Sequence, residues 1–428
     1  MRAANYLCNA SASDHQLILA RQGIYFRRRK FRDKFEYHLN PILVKKPIEN
    51  TFQSRREFAR RIAAGMAGAS LLGTASPAEG SVPGRAKPKK NLLQHAGADY
   101  HVVMADPSIG WNEKQKYWTT KKNFEYHERC GVRHFTNIMS GEWNADDMKR
   151  WKDDCDKYGK VWEAIRMDSS YIFAKTRSDQ EKKLAEVADN IRKASAVGVK
   201  VVTMHWTLIP IRRNGHTSGR GGSSYHAFKL EDNWKDLAVE KNGVVKYDEY
   251  WERITYFLKN IIPVCEQHDV RLGVHPYDPP GLPRGYQGVD NWDCAPTSVF
   301  DSLKKYESIV DSPYNGFQLC LGTVMEGLTN PKAELLPIVK YFAGKGKIYQ
   351  IHMRNIKGGL GNFEEVYIDE GEANFIEVIR ILRDANYSWS ICPDHCPTHP
   401  DDPGGLQAFA QAYGYIKGLI DAANAEVA

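Results

Sequence analysis

From about residue 98 onward, short β-branched or apolar runs alternate with longer stretches of helical period. The runs fall at 100–104, 132–138, 160–166, 200–205, 270–275, 317–321, 347–352 and 388–392. Helical stretches follow them at about 113–129, 144–158, 180–196, 247–268, 297–309, 332–343, 373–386 and 405–423. Eight strand–helix units in about 330 residues predict an α/β fold, a (β/α)8 TIM barrel. A doubly wound sheet would also explain the alternation, but it requires no eightfold count.

Strand carboxyl ends face the active site of such a barrel. Four successive strand candidates deliver His275, Cys320, His352 and Asp394 there, at separations of 45, 32 and 42 residues. Imidazole, thiolate and carboxylate together suit a divalent transition metal such as Mn, Fe, Co or Zn. A single strand His or Cys is most often a core residue. Four at equivalent places on successive strands predict a metal site. Arg354, two residues after His352, shares its side of an extended strand. It is either a carboxylate clamp or half of a surface ion pair. His205, at the end of strand four, is a substrate contact or a half-buried His.

Charge divides the chain unevenly. Residues 1–90 carry 18 Lys and Arg against 6 Asp and Glu, a net +12. The other 338 carry 41 against 46, a net −5. The barrel is therefore mildly acidic, which argues against a nucleic-acid partner. Ser54-Arg55-Arg56-Glu57-Phe58 precedes a weakly apolar stretch at 62–73 and small residues ending near Ala78, the layout of a twin-arginine export signal over 54–78. It predicts a periplasmic protein; a basic helix on a cytoplasmic one is the alternative. Residues 1–53 read as a long leader or a mis-called start, and 79–97 as a linker ahead of a 98–428 barrel domain. No apolar run is long enough to span a membrane. The eight cysteines form no C-x-x-C pair, and Cys392 and Cys396 could form a disulfide only if geometry allowed it.

Five short motifs occur in order: His275-Pro276-x-Asp278-Pro279-Pro280, Asn315-Gly316-x-x-x-Cys320-x-Gly322, His352-x-Arg354-Asn355, Asp369-Glu370-Gly371 and Pro393-Asp394-His395. In order and spacing they resemble the mannonate dehydratase family, lyases on a xylose-isomerase-like barrel. The resemblance covers roughly 98–428. It implies His275, Cys320, His352 and Asp394 as ligands, usually of Mn²⁺ or Fe²⁺, and His395 as the acid/base beside the metal. It implies dehydration of D-mannonate to 2-dehydro-3-deoxy-D-gluconate. The residues fit that chemistry: a metal can stabilise enolate-like charge beside a carboxylate, and a His can move a proton near neutral pH.

Three departures accompany the resemblance. Tyr277 stands where the family has an Asp. No Tyr follows Pro393-Asp394-His395 before Tyr413, although the family places a catalytic Tyr there. Strand four ends in Met204-His205-Trp206, unlike the family. Asp278 and Asp369 are candidate substrate contacts; Asp369 could instead start a helix. The 207–246 insertion is a candidate lid, and Gly358-Gly359-x-Gly361 a turn or lid hinge. A sugar isomerase or epimerase on the same barrel and a secreted carbohydrate-binding barrel remain the rival readings. A small sugar acid is the expected partner, with a homo-oligomer left open.

Overall fold

Eight parallel strands close on themselves in the order β1-β12-β9-β8-β7-β4-β3-β2. They are β1 (His95–Ala98), β2 (His134–Met139), β3 (Val161–Met167), β4 (Val201–His205), β7 (Arg271–His275), β8 (Asn315–Cys320), β9 (Ile348–His352) and β12 (Ser390–Cys392). The computed structural model describes residues 94–427 except 107. The expected leader, the export signal and residues 79–93 of the expected linker lie outside the described residues.

Helices sheathe the barrel, and their starts follow from capping chemistry. Thr120, Asn144, Thr176 and Ser298 each accept a backbone N–H of the first turn through a side-chain oxygen. The helix Tyr247–His268 buries Tyr250, Ile254, Phe257, Leu258, Ile261 and Cys265, the one-face spacing of a helix laid against a sheet. It ends at Asp269, in the left-handed conformation at φ 52. Every residue of β4, β8 and β9 is buried, as expected of strands covered on both faces. Among the described residues, no helix is long and apolar enough to cross a membrane.

The first strand corrects the sequence reading. It is His95–Ala98, ahead of the expected 100–104 run, so the barrel already begins inside the expected linker. β1 carries no β-branched residue because its neighbour is too near. A Cβ on Gly97 would stand 2.4 Å from Ser390 Cβ across the β1–β12 seam. Residues 99–104 form instead the loop that leaves β1 at its carboxyl end.

The 207–246 insertion, the candidate lid, carries regular structure of its own. It supplies β5 (Gly215–Ser218) and β6 (Ser224–Lys229). These join β10 (Asn355–Gly359) and β11 (Asn362–Val366) in an antiparallel sheet of order β10-β11-β6-β5. The glycine run is the β10–β11 turn, with Gly358 and Gly361 at φ 90 and 74. Ser224 and Thr398 exchange backbone hydrogen bonds at 2.8 and 3.2 Å, tying this sheet to the loop after β12.

Candidate metal centre and active site

Strand register sets the level of the site. His205 of β4 lies opposite His275 of β7, Cys320 of β8 opposite His352 of β9, and His352 opposite Cys392 of β12, two residues before Asp394. Ligand atoms of His275, Cys320 and His352 consequently lie within 4.8 Å of one another, all buried. Asp394 joins them, with Oδ1 3.3 Å from His352 Nδ1 and Oδ2 3.4 Å from Cys320 Sγ. Asp394 holds φ 70, a conformation costly for a non-glycine residue and commonest at functional sites.

These four residues fit a divalent metal. His275 Nδ1 donates to the Pro276 carbonyl at 2.6 Å, which leaves Nε2 as its ligand atom. Burial, with His352 nearby, pushes His275 down to about 3, so its imidazole is neutral, as a ligand must be. His352 turns Nε2 toward Gln318 Nε2 at 2.8 Å and Asp99 Oδ2 at 3.4 Å. Its buried Nδ1 faces Asp394 Oδ1 at 3.3 Å, so that nitrogen and that carboxylate oxygen could share a cation. Burial pushes the Cys320 thiol up, a cost that a bound cation would remove by holding the thiolate. Burial opposes the Asp394 charge too, yet His395, His352 and Arg354 hold it well below the usual carboxylate range.

Arg354 is neither a substrate clamp nor part of a surface ion pair. It is 2% exposed, and protein groups take its whole guanidinium. Nε donates to Asp394 Oδ2 at 2.8 Å, and Nη1 to Glu326 and Glu365 at 2.5 and 2.7 Å. Nη2 meets Thr323 Oγ1 at 2.8 Å and Asp278 Oδ2 at 3.3 Å. Arg213, from the insertion, meets Asp278, Glu326 and Glu365 at 2.7, 3.0 and 2.7 Å. Asp278 is therefore a buried partner of two arginines rather than a substrate contact. Asp369 is exposed and paired with Arg220 at 2.7 and 2.8 Å. Cys392 and Cys396 are both free thiols.

Two further imidazoles sit around Asp394. His395 Nδ1 lies 3.1 Å from Glu365 Oε2 and its Nε2 3.8 Å from Asp394 Oδ2. Burial disfavours its charge, but Glu365 and Asp394 outweigh it and lift the imidazole to about 9. His101 Nδ1 is 2.9 Å from Asp99 Oδ2, and its Nε2 is 3.6 Å from Asp394 Oδ1. The Asp99–His101 pair was hidden by the misplaced first strand; an Asp-x-His just past a strand end was the available signal.

A cavity of about 440 Å³ adjoins this cluster, lined by Arg166, Asp168, Ser169, His205, Leu208 and Asn242 among others. His205 links the two, its ring stacked on His275 with centroids 4.0 Å apart. Arg166, at the end of β3, was not singled out from the sequence. Its Nη1 reaches Tyr100 Oη at 2.8 Å and His205 Nε2 at 2.5 Å, while its buried Nε makes no hydrogen bond. Burial and the Arg166 charge push His205 well below its ordinary value, so it is a neutral acceptor for Arg166.

Barrel and candidate ligand set together define a TIM barrel with a candidate metal centre at the carboxyl ends of its strands. Residues 229–428 match the family model of D-mannonate dehydratase (UxuA). The chain is 33% identical over 302 residues to mannonate dehydratase of Geobacillus thermodenitrificans, covering 60% of this chain and 77% of that protein. It is 35% identical over 205 residues to that of Thermotoga neapolitana, covering 45% of this chain and 52% of that one, about half its length. The crystal structure of mannonate dehydratase from Streptococcus suis serotype 2 shares the fold, with TM-score 0.61 at 21% identity over 77% of this chain and 94% of that chain. The chain belongs to the mannonate dehydratase family.

Proposed function

We propose that this protein dehydrates a sugar acid, D-mannonate, to 2-dehydro-3-deoxy-D-gluconate. The observation that carries the reading is the convergence of His275, Cys320 and His352 on one point, with Asp394 against Cys320 and His352 and the cationic His395 beside it. Those four would hold the metal, Mn²⁺ or Fe²⁺. When bound, it supplies a Lewis acid that stabilises negative charge on substrate oxygens.

The chain's own groups divide the remaining work. Arg166, with its unpaired Nε at the inner end of the cavity, binds the substrate carboxylate. His101, oriented by Asp99 as in other His–carboxylate pairs, takes the C2 proton on Nε2. The C2 electron pair forms the C2–C3 double bond as the C3–O bond breaks. His395 gives its proton to the departing hydroxyl, which leaves as water. The resulting enol tautomerises to the 2-keto-3-deoxy acid. His101 and His395 thereby do acid/base work without a Tyr after residue 395.

The test is keto-acid formation from D-mannonate by Mn²⁺-loaded and metal-stripped protein. Metal-dependent product, lost in His395→Asn, supports the reading. Full metal binding with no keto acid overturns it and leaves ketose–aldose and epimer pairs to be screened. Export by the twin-arginine route to the periplasm is proposed on the Arg55-Arg56 segment. It predicts that Arg55→Lys/Arg56→Lys keeps the protein cytoplasmic.

A further inference from the structure

The opposite mouth of the barrel holds a second group of metal-type ligands. His95 is the first residue of β1, His134 the first of β2, and Glu163 the third of β3. Glu163 Oε2 lies 2.9 Å from His95 Nε2 and 2.7 Å from His134 Nδ1, and the three ligand atoms lie within 4.8 Å of one another. The two imidazole rings lie tilted at 35° to one another, with centroids 3.7 Å apart. Since these residues occupy the amino ends of strands whose carboxyl ends carry the active site, the group is separate from it.

We propose that His95, His134 and Glu163 form a second site for a divalent transition metal of the Zn²⁺ or Co²⁺ class.

Three observations carry it. Strand pairing is built to deliver Glu163. Phe135 pairs with Trp162 but Thr136 with Ala164, so Glu163 is the extra residue of a β-bulge, a device that re-aims a side chain. Second, the carboxylate is fixed from behind: Ser390 N donates to its other oxygen, Oε1, at 2.8 Å, the backing that metal-bound carboxylates receive. Third, the donor set is two imidazoles and one carboxylate, which is a three-ligand set with open positions. Glu163 is 7% exposed on its side chain, and His95 and His134 are 24% and 29% exposed, so the anion is covered while the imidazoles border solvent. Bonds of about 2.1 Å in a tetrahedron place ligands about 3.4 Å apart, so an ion requires Glu163 to draw back from the two imidazoles by about 0.5–0.7 Å. Bound there, the ion would tie β1, β2 and β3 together beside the β1–β12 seam and would stabilise the folded barrel by mass action.

The test counts metal on the full chain after stripping with chelator and titration with Co²⁺. Wild-type protein should bind two ions per chain. Cys320→Ala, which leaves the second site untouched, should retain at least one ion and lose the thiolate-to-cobalt charge-transfer band. Added to that background, Glu163→Gln or the milder His134→Asn should lower the count by one ion and remove that ion's rise in Tm. One ion in wild type with none at the N/O site of Cys320→Ala overturns the proposal. So does an ion count that neither Glu163→Gln nor His134→Asn lowers. Because the counts read binding alone, failure of the dehydratase assignment leaves this result unchanged.

Discussion

Arg354 donates through Nε to Asp394 Oδ2 at 2.8 Å while its Nη1 meets Glu326 at 2.5 Å. A ligand to the candidate metal is thus held by a buried arginine that is itself held by carboxylates from three other segments. Removing one partner from such a buried ion network leaves the others uncompensated, at about 3–5 kcal/mol. Arg354→Met should lower the urea midpoint correspondingly and weaken Mn²⁺ binding by roughly 10- to 100-fold. Denaturation and metal titration of the same variant check both. An Arg354→Met protein with altered KM alone would restore the substrate-clamp role.

Gly322 offers the same test without touching a charge. A Cβ there would stand 2.9 Å from both Cζ and Nε of Arg354. Gly322→Ala should push the guanidinium off Asp394 and reduce metal affinity with every ligand intact. Metal titration reads the effect, and unchanged affinity would show that Asp394 keeps its place without Arg354.

Arg166 carries the substrate prediction. Losing a charge-assisted contact to a carboxylate costs about 1.5–3 kcal/mol, so Arg166→Met should reduce kcat/KM for D-mannonate by roughly 10- to 100-fold. Metal stoichiometry should not change, since Arg166 touches His205 and Tyr100 but none of the four ligands. Equal loss of metal would move Arg166 into the metal site's support.

His127 predicts a pH dependence far from the active site. It is buried in the helix Lys121–Arg129 against Phe135 and Tyr413. Burial lowers it to about 4, so the folded protein binds fewer protons there than the unfolded chain between pH 4 and 6.5. Its contribution to stability is therefore complete above pH 6.5 and falls as pH drops toward 4, by about 3 kcal/mol in all. His127→Phe should flatten that part of the stability profile in urea titrations at stepped pH.

Much of the chemistry was readable before any fold. His275, Cys320, His352 and Asp394 announce themselves because each falls at or near the end of an apolar run, and the carboxyl ends of successive barrel strands lie on one face. β1 was not readable, because His-Ala-Gly-Ala is chosen for the narrow β1–β12 seam rather than for strand propensity. The roles of Arg354 and Asp278 were open for the same kind of reason. Strand position gives the side on which a residue points, but not what already waits there, and Arg213 and Glu365 arrive from the 207–246 insertion and from β11, whose meeting no local pattern specifies. The sequence by itself determined the eightfold alternation, the ligand types and their common level, since these depend on period and spacing. Only the tertiary structure decided which charges are spent on one another, that Arg166 rather than Arg354 faces the cavity, and that a bulge turns Glu163 toward two histidines, since each depends on segments far apart in the chain being packed within a few ångströms.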